Sequence, residues 1–307
     1  GVAIPGTGQG STTCEFGEGT TSSCTGGTNK TACDPGTYTS STGKSSCTTC
    51  EAGYYCPGAS NRIVCPTGHT SSSGASSCTK INYTVTISRN NTSYGSVNLS
   101  SVSVPYGTTY SVSGNKLTFS NGTTVTATPT AASGYTTTFS SWSSTSGTIT
   151  AATTINANFS RTPIKYTYTF TSANSSYGSV SPTSLSVAYD STYSVSGNVL
   201  TFSDGQKVTA TVTNVTGYTT KFGSWSSTSG TVKGVGSISA SFTRTANTYT
   251  IAYNCNGGSG TISSTSHTYD AAKAITSSVC TRSGFSFAGW NTNSSGTGTS
   301  YSKSQSV

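Results

Sequence analysis

The chain has 307 residues, enough for roughly two to four small domains, and only 7% of them are charged. Serine (61 residues) and threonine (62 residues) dominate the composition, and the net charge is +8. The 15 basic residues are scattered, which excludes the basic stripe typical of nucleic-acid binding. No apolar run approaches the roughly 20 residues that a membrane-spanning helix needs, so we expect no membrane insertion.

Residues 1–13 form an extended N-terminal arm whose packable side chains are Val2, Ala3 and Ile4. Two interpretations are open for this arm. It is either a frayed terminus or a strand donated to a neighbouring molecule.

Residues 14–80, the cysteine-rich module, are dominated by loops and contain an even number of cysteines. An even set in a segment with few apolar residues predicts disulfides and an oxidising compartment. Cys47-Thr-Thr-Cys50 has the spacing of a redox motif, but its neighbours lack the cations that would activate a thiol. Structural disulfides are therefore favoured over redox chemistry or zinc. The eight cysteines are Cys14, Cys24, Cys33, Cys47, Cys50, Cys56, Cys65 and Cys78.

Residues 33–47 and 65–78 are alike, and Cys50-Glu-Ala-Gly-Tyr-Tyr-Cys56-Pro-Gly lies between them. This rhythm resembles the ephrin-receptor-like and tumour-necrosis-factor-receptor-like cysteine-rich modules. The resemblance implies a ladder of short two-stranded arches pinned by disulfides. By the same analogy the expected pairs are Cys14–Cys24, Cys33–Cys47, Cys50–Cys65 and Cys56–Cys78.

Residues 81–162 (module 1) and 163–245 (module 2) are two copies of one repeat. Tyr-Ser-Val-Ser-Gly-Asn at 110–115 recurs at 193–198. Polar and apolar residues alternate with period two, as in half-buried strands, and no segment has a helical stripe. Asn-Gly at 121–122 and Asp-Gly at 204–205 predict hairpins. The fold class is therefore mostly β: tandem small β-grasp-like or β-sandwich-like modules after a disulfide-rich module.

Residues 246–307 (module 3) are a shorter third copy. Asn256-Gly-Gly, Gly284-Phe-Ser-Phe-Ala-Gly-Trp290 and Gly296-Thr-Gly-Thr-Ser-Tyr301 resemble the internalin-type B repeat, also called the Listeria–Bacteroides repeat. Modules 1 and 2 resemble divergent relatives of it. The resemblance implies β-grasp-like modules on bacterial surface proteins, used as stalks or adhesive spacers. Cys255 and Cys280 are additions to that pattern, and we expect them to bridge the first strand to the segment before Gly284.

Each repeat carries one tryptophan. Because Trp142, Trp225 and Trp290 follow an aromatic residue at a fixed place, we interpret them as core anchors rather than exposed sugar platforms. Modules 1 and 2 run 17 residues from this tryptophan to a last phenylalanine. The same count from Trp290 reaches Val307, so module 3 is predicted to lack its closing strand.

The sequence gives no sign of catalysis, and we expect no enzyme activity, cofactor or metal site. His69 and His267 are expected at the surface, and the seven acids are dispersed. The uncharged, Ser/Thr-rich surface predicts covalent glycans, because bulk and hydration would protect exposed β edges. The Asn-x-Ser/Thr sequons are Asn29, Asn82, Asn90, Asn91, Asn98, Asn121, Asn158, Asn174, Asn214 and Asn293.

Three functions are consistent with these patterns. The first is a secreted or cell-surface structural protein, the repeating subunit of a glycosylated bacterial fibre whose partners are copies of itself, joined head-to-tail. Its assembly residues would be Val2, Ala3 and Ile4 in the arm, and Tyr301 and Val307 at the open edge of module 3. The second is a monomeric adhesin or receptor stalk whose cysteine-rich head binds a ligand. The third is an appendage to an enzyme.

Overall fold

The computed structural model describes residues 2–3, 31–39, 46–58 and 61–307. Every regular element in these residues is a β-strand, which confirms the predicted fold class. The described residues contain no helix long and apolar enough to cross a membrane. The chain divides into two compact units, residues 1–162 and 163–307, which are described separately.

The arm and the cysteine-rich module contain only two-residue strands. β1 pairs with β2, and the hairpins β3/β4, β5/β6 and β7/β8 follow in chain order. Ile4 and the pair Cys14–Cys24 lie outside the described residues. The strands are β1 Val2–Ala3, β2 Thr31–Ala32, β3 Thr37–Tyr38, β4 Thr48–Thr49, β5 Tyr54–Tyr55, β6 Ile63–Val64, β7 His69–Thr70 and β8 Thr79–Lys80.

The disulfides of this module are local. The structure joins Cys33 to Cys47, which is the pair expected from the analogy. The other two pairs expected from it, Cys50–Cys65 and Cys56–Cys78, are wrong.

Cys50 is bonded to Cys56, and Cys65 is bonded to Cys78. Cys50 and Cys56 flank β5, whereas Cys65 and Cys78 precede the two strands of the hairpin β7/β8. Each bond therefore closes its own arch, so the linkage between arches is left to the backbone.

Module 1 consists of two sheets that enclose one core. Their strand orders are β11-β9-β17-β15 and β10-β14-β13-β12-β16. Alternate residues point inward, so that Val85 and Ile87 of β9 are buried with Leu117 and Phe119 of β13. The strands are β9 Asn82–Arg89, β10 Gly95–Val97, β11 Ser101–Pro105, β12 Thr109–Ser113, β13 Lys116–Phe119, β14 Thr124–Pro129, β15 Tyr135–Trp142, β16 Ser146–Thr148 and β17 Thr153–Pro163.

Module 2 repeats this topology strand for strand, with orders β20-β18-β26-β24 and β19-β23-β22-β21-β25. The hairpins predicted at Gly122 and Gly205 are confirmed: both glycines have a φ of 89° between antiparallel strands. The strands are β18 Lys165–Ser172, β19 Gly178–Ser181, β20 Ser184–Ala188, β21 Thr192–Ser196, β22 Val199–Phe202, β23 Lys207–Val212, β24 Tyr218–Trp225, β25 Ser229–Thr231 and β26 Gly236–Ala246.

The closing strand of each complete module is a central strand. β17 runs parallel to β9, and β26 runs parallel to β18. On its other edge β26 pairs antiparallel with β24. The last strand of the sequence repeat is thus inserted between the first strand and the tryptophan-bearing strand.

Module 3 has only short strands: β27 Thr248–Ile251, β28 Thr265–Thr268, β29 Trp290–Asn291 and β30 Ser300–Tyr301. β27 pairs with β28, and β29 pairs with β30. No third strand joins either pair within the described residues. Cys255 is bonded to Cys280, the expected bridge.

Candidate functional site

The most prominent concave feature is a groove of about 910 Å³ in module 3. One side is formed by β27 and the residues after it, up to Cys255. The opposite side is formed by Phe285, Phe287 and Trp290. Tyr301 and Val307, two of the predicted assembly residues, also line this groove.

The equivalent space in module 2 is filled by β26. Its residues 236–240 pair with β18, and its residues 240–246 pair with β24. The inward side chains of β26 are Ile238, Ala240 and Phe242, all buried. The groove of module 3 therefore lies between the counterparts of the two strands that enclose β26.

Hydrogen bonds define where Val307 lies in the repeat. In module 2 the amide of Val232 donates to the carbonyl of Ser191 (2.8 Å), just before β26 begins at Gly236. In module 3 Val307 and Lys273 exchange the equivalent pair of backbone bonds, both 3.2 Å. The residue count from tryptophan placed Val307 opposite Phe242, and this is wrong. Val307 occupies the position of Val232, ahead of the closing strand, because module 3 has a longer loop after its tryptophan.

An aromatic wall borders the groove. The ring centroid of Trp290 lies 4.8 Å from that of Tyr253 and 5.2 Å from that of Phe287. The Tyr253 hydroxyl is fixed by Thr265 Oγ1 at 2.7 Å and by the amide of Thr276 at 3.0 Å. Because these contacts hold the rings, the wall is a preformed apolar surface.

The free edge of β27 is the polar part of the groove. Counting from Tyr166 and Tyr249, which begin the two repeats, residues 251–255 correspond to 168–172, the part of β18 that pairs with β26. In the described chain no strand pairs with this edge of residues 251–255. Unpaired amides and carbonyls beside an apolar wall are what an added β-strand satisfies.

The tryptophan predictions are largely confirmed. Trp142 and Trp225 are buried in the cores of modules 1 and 2. Trp290 is half-buried because the groove is open beside it. The Nε1 atoms of all three have no hydrogen-bond partner within the described residues.

The surface position expected for His267 is wrong, since only 1% of this residue is exposed. Tyr249 and His267 face each other across β27 and β28, as Tyr166 and Val187 do in module 2. The imidazole therefore occupies a core position, stacked on Tyr249 at 5.6 Å, with Nε2 2.8 Å from Thr265 Oγ1. His69 is half-exposed, with its ring 6.2 Å from that of Tyr106.

The charged pairs lie away from the groove. Arg62 bonds Glu51 in the cysteine-rich module, and this contact holds the pKa of the Glu51 carboxyl below its usual value. Asp190 pairs with Lys233 in module 2, which raises the pKa of the Lys233 ammonium. Among the described residues no cluster of His, Cys, Asp or Glu could hold a metal ion.

The other predicted sites are scattered. Val2 and Ala3 pair with Ala32 and Thr31 of the same chain, far in sequence from Tyr301 and Val307. Asn29 lies outside the described residues. Of the sequons, Asn90 and Asn98 bond backbone through both side-chain atoms, whereas Asn82 and Asn214 are exposed with no side-chain bond within the described residues.

Comparison with known proteins identifies one part of the chain. Residues 249–307 match the family model of the Listeria-Bacteroides repeat domain, which confirms the resemblance of module 3. A solved structure of Streptococcal High Identity Repeats in Tandem (SHIRT) domains 3-4 from a cell surface protein is 14% identical. That match covers 54% of this chain and 99% of the other, with a TM-score of 0.25, too low to carry an argument. No curated protein matches the chain.

The repeat family of module 3 and the disulfides fit an extracellular or cell-surface protein. The resemblance of the cysteine-rich module to receptor modules stays a prediction. Sequence reasoning missed the wall formed by Tyr253 and Phe287, although Phe287 belongs to the quoted Gly-Phe-x-Phe-x-Gly-Trp motif.

Proposed function

We propose that the chain is an extracellular structural protein, the subunit of a glycosylated bacterial surface fibre assembled head-to-tail. The observation that carries the proposal is the groove of module 3. The same chain fills the equivalent space twice with its own strand, in modules 1 and 2. An incoming strand from another subunit would bury the aromatic wall and pair with residues 251–255.

Modules 1 and 2 define what the incoming strand must look like. It runs parallel to β27 and antiparallel to the segment from Phe285 to Trp290, as β26 does between β18 and β24. Its inward positions are apolar and two residues apart, like Ile238, Ala240 and Phe242. A strand that joins different surfaces of two subunits is a heterologous contact, so it extends a filament instead of closing a dimer.

The N-terminal arm of the next subunit is the donor that best meets these requirements. Val2 and Ile4 are two residues apart, so they face the same side of an extended strand. Pro5 has no amide hydrogen and ends the ladder there. In the described chain the arm pairs with β2 through two residues only, a small loss on exchange. The arches are poorer donors, since their strands are two residues long and pinned by disulfides.

A self-closing variant tests the proposal. Residues 233–246 of module 2 are appended directly after Val307, because Val307 matches Val232. The added strand should fill the groove of its own module, so fibres seen by electron microscopy should disappear. The matched control carries serine at the three added positions that copy Ile238, Ala240 and Phe242. It should still form fibres.

Fibres of normal length from the self-closing variant would contradict strand addition at this groove. A native protein in which residues after Val307 already fill the groove would contradict it equally, and peptide mapping of native material detects this. Deletion of residues 1–12 tests the donor. Fibres of normal morphology from that variant would remove the arm from the proposal.

Glycosylation is tested by the intact mass. A protein whose mass stays at the bare 31.1 kDa carries no glycans, and that result would sink this part of the proposal. If sequons are used, occupancy should be highest at Asn82 and Asn214 and lowest at Asn90. The Asn90 amide nitrogen already donates to the Phe159 carbonyl at 2.9 Å.

A second candidate function is a monomeric adhesin or receptor stalk. It is favoured by Ile63 and Val64, which are exposed on the second arch beside Arg62. Arg62 itself lies over the Tyr54 ring at 4.3 Å. Single, non-polymerising particles in negative-stain images of native material would favour this function over the fibre.

A further inference from the structure

One tight turn recurs six times in the described residues. In each copy the amide after a glycine donates to the carbonyl three residues earlier, at 3.0 to 3.1 Å. The glycine has a φ between 76° and 92°, the left-handed value that a type II turn requires at this position. We call this the connector turn, and its glycines are Gly36, Gly53, Gly68, Gly134, Gly217 and Gly284.

The connector turn joins successive folded units. The carbonyls of Gly36 and Gly53 accept from the amides of Cys50 and Cys65, each at 2.9 Å, and each of these cysteines begins the next arch. The same bond continues into the β modules. Gly68 accepts from Ile81 before module 1, and Gly217 accepts from Asn247 before β27, both at 2.8 Å.

At two of these joints a tyrosine of the following module covers the glycine. A Cβ added to Gly68 would lie 2.1 Å from the Tyr106 ring, and one added to Gly217 would lie 2.3 Å from the Tyr269 ring. Tyr218 adds polar contact, because its hydroxyl donates to Asp270 Oδ2 at 3.1 Å. A used connector turn is thus tightly covered.

The turn of module 3, residues 282–285, is formed but bare. No atom lies within 4 Å of a Cβ placed on Gly284. Within the described residues no amide donates to its carbonyl. Phe285 is 70% exposed, and the Arg282 guanidinium lies 4.8 Å from its ring centroid.

The position of the turn fixes a direction. In module 2 Tyr218 pairs with Ala246, so the connector turn lies where the closing strand ends. Asn247, the residue after that strand, donates the connecting bond and leads into module 3. In module 3, Arg282 and Phe285 line the groove at the corresponding end.

We infer that the turn at 282–285 receives the residues that directly follow the incoming strand of a second copy of this chain. This inference rests on the proposed function and deepens it, because it sets the polarity of the contact. At every used turn the docked amide follows a strand and precedes the next folded unit. The incoming strand therefore lies N-terminal to the modules of its own subunit, and a C-terminal tail has the wrong direction.

Photo-crosslinking in intact fibres tests this polarity. The photoreactive residue benzoylphenylalanine replaces Phe285 in the full chain, and fibres are grown from mixed heavy-isotope and light subunits. Crosslinked peptides that combine one heavy and one light chain report contacts between subunits. The expected product joins position 285 to a peptide from residues 1–32 of the neighbour. The same replacement at Val235, which is 80% exposed, is the matched control and should give no such product.

Each outcome decides the inference. Crosslinks from position 285 to any other region of the neighbour, or none between subunits in intact fibres, overturn the polarity and leave the fibre proposal standing. Absence of fibres from the unmodified chain overturns the proposed function instead. If the replacement at Phe285 itself blocks fibre growth, the photoreactive residue is placed at Ser283, and the same products decide.

Discussion

Modules 2 and 3 begin alike and differ in what lies between their outer strands. Both have a first hairpin in which a tyrosine faces an inward residue, Val187 in module 2 and His267 in module 3. Module 2 then inserts β26 and buries a continuous core, whereas module 3 has a groove there. The difference teaches that the central strand of this repeat is the last to be added, and that the module around it is already formed without it.

The largest effect should come from removing the side chain that closes module 2. Phe242 packs against Phe222 at 6.0 Å and covers Gly178. Phe242→Ala should cost about 3–5 kcal/mol, because it leaves a cavity in a small core. Hydrogen exchange resolved by peptide should then show module 2 losing protection toward the level of module 3.

Thr243→Ala is the control for that experiment. Thr243 is exposed on the same strand, and the substitution should stay within about 0.5 kcal/mol. Equal loss of protection in the two variants would mean that β26 does not stabilise module 2 through its inward face.

The disulfide of module 3 should rank next. Cys255 and Cys280 both line the groove, so their bond holds a module that lacks a central strand. Replacing both by serine should destabilise module 3 by about 2–4 kcal/mol and leave module 2 unchanged. Peptide-resolved hydrogen exchange measures both modules in one sample. Unchanged protection of residues 248–268 would show that the bridge does not support the groove.

A matched pair of glycine substitutions compares a used connector turn with the bare one. Gly217→Ala and Gly284→Ala both force a left-handed residue, which costs about 1–2 kcal/mol. Only Gly217→Ala also overlaps a ring, that of Tyr269, adding about 1–3 kcal/mol. Thermal unfolding should therefore show the larger loss for Gly217→Ala. Equal losses would contradict the tight cover assigned to the used turn.

The smallest effect concerns pH at the joint between modules 2 and 3. The hydrogen bond from the Tyr218 hydroxyl to Asp270 raises the pKa of that phenol above the ordinary value near 10. The folded state thus favours the protonated phenol. Its contribution is present below about pH 10 and is lost as the pH rises through the raised pKa.

Spectrophotometric tyrosinate titration of the folded protein and of Tyr218→Phe measures this shift. The difference curve isolates the missing tyrosine, which should ionise later than the average of the others. A difference curve that rises with the bulk tyrosines would contradict the raised pKa.

Much of the fold could be predicted because its signals are local. Alternating residues such as Tyr83, Val85 and Ile87 indicated strands, and Asn-Gly or Asp-Gly pairs indicated the hairpins at Gly122 and Gly205. The Cys255–Cys280 bridge followed from an even pair in one short module. Each of these signals depends on neighbours in sequence or on a repeat, both of which are visible without the fold.

Other features depended on which distant residues meet. Spacing did not distinguish Cys50–Cys56 from Cys50–Cys65, since both pairs are close in sequence. His267 was assigned to the surface because its type is polar, although its strand position is a core position. The connector turn was also missed, since an isolated Gly-Tyr, Gly-His or Gly-Phe carries little information. The common spacing of these glycines before each new unit was the available signal.

The sequence by itself determined the number of repeats, their β character and the shortness of module 3, because alternation and repetition are properties of the chain read in order. Only the tertiary structure decided that the closing strand is central, that Val307 matches Val232 and that residues 282–285 form a bare connector turn. Those facts follow from hydrogen bonds between residues far apart in sequence, whose pairing no local pattern fixes.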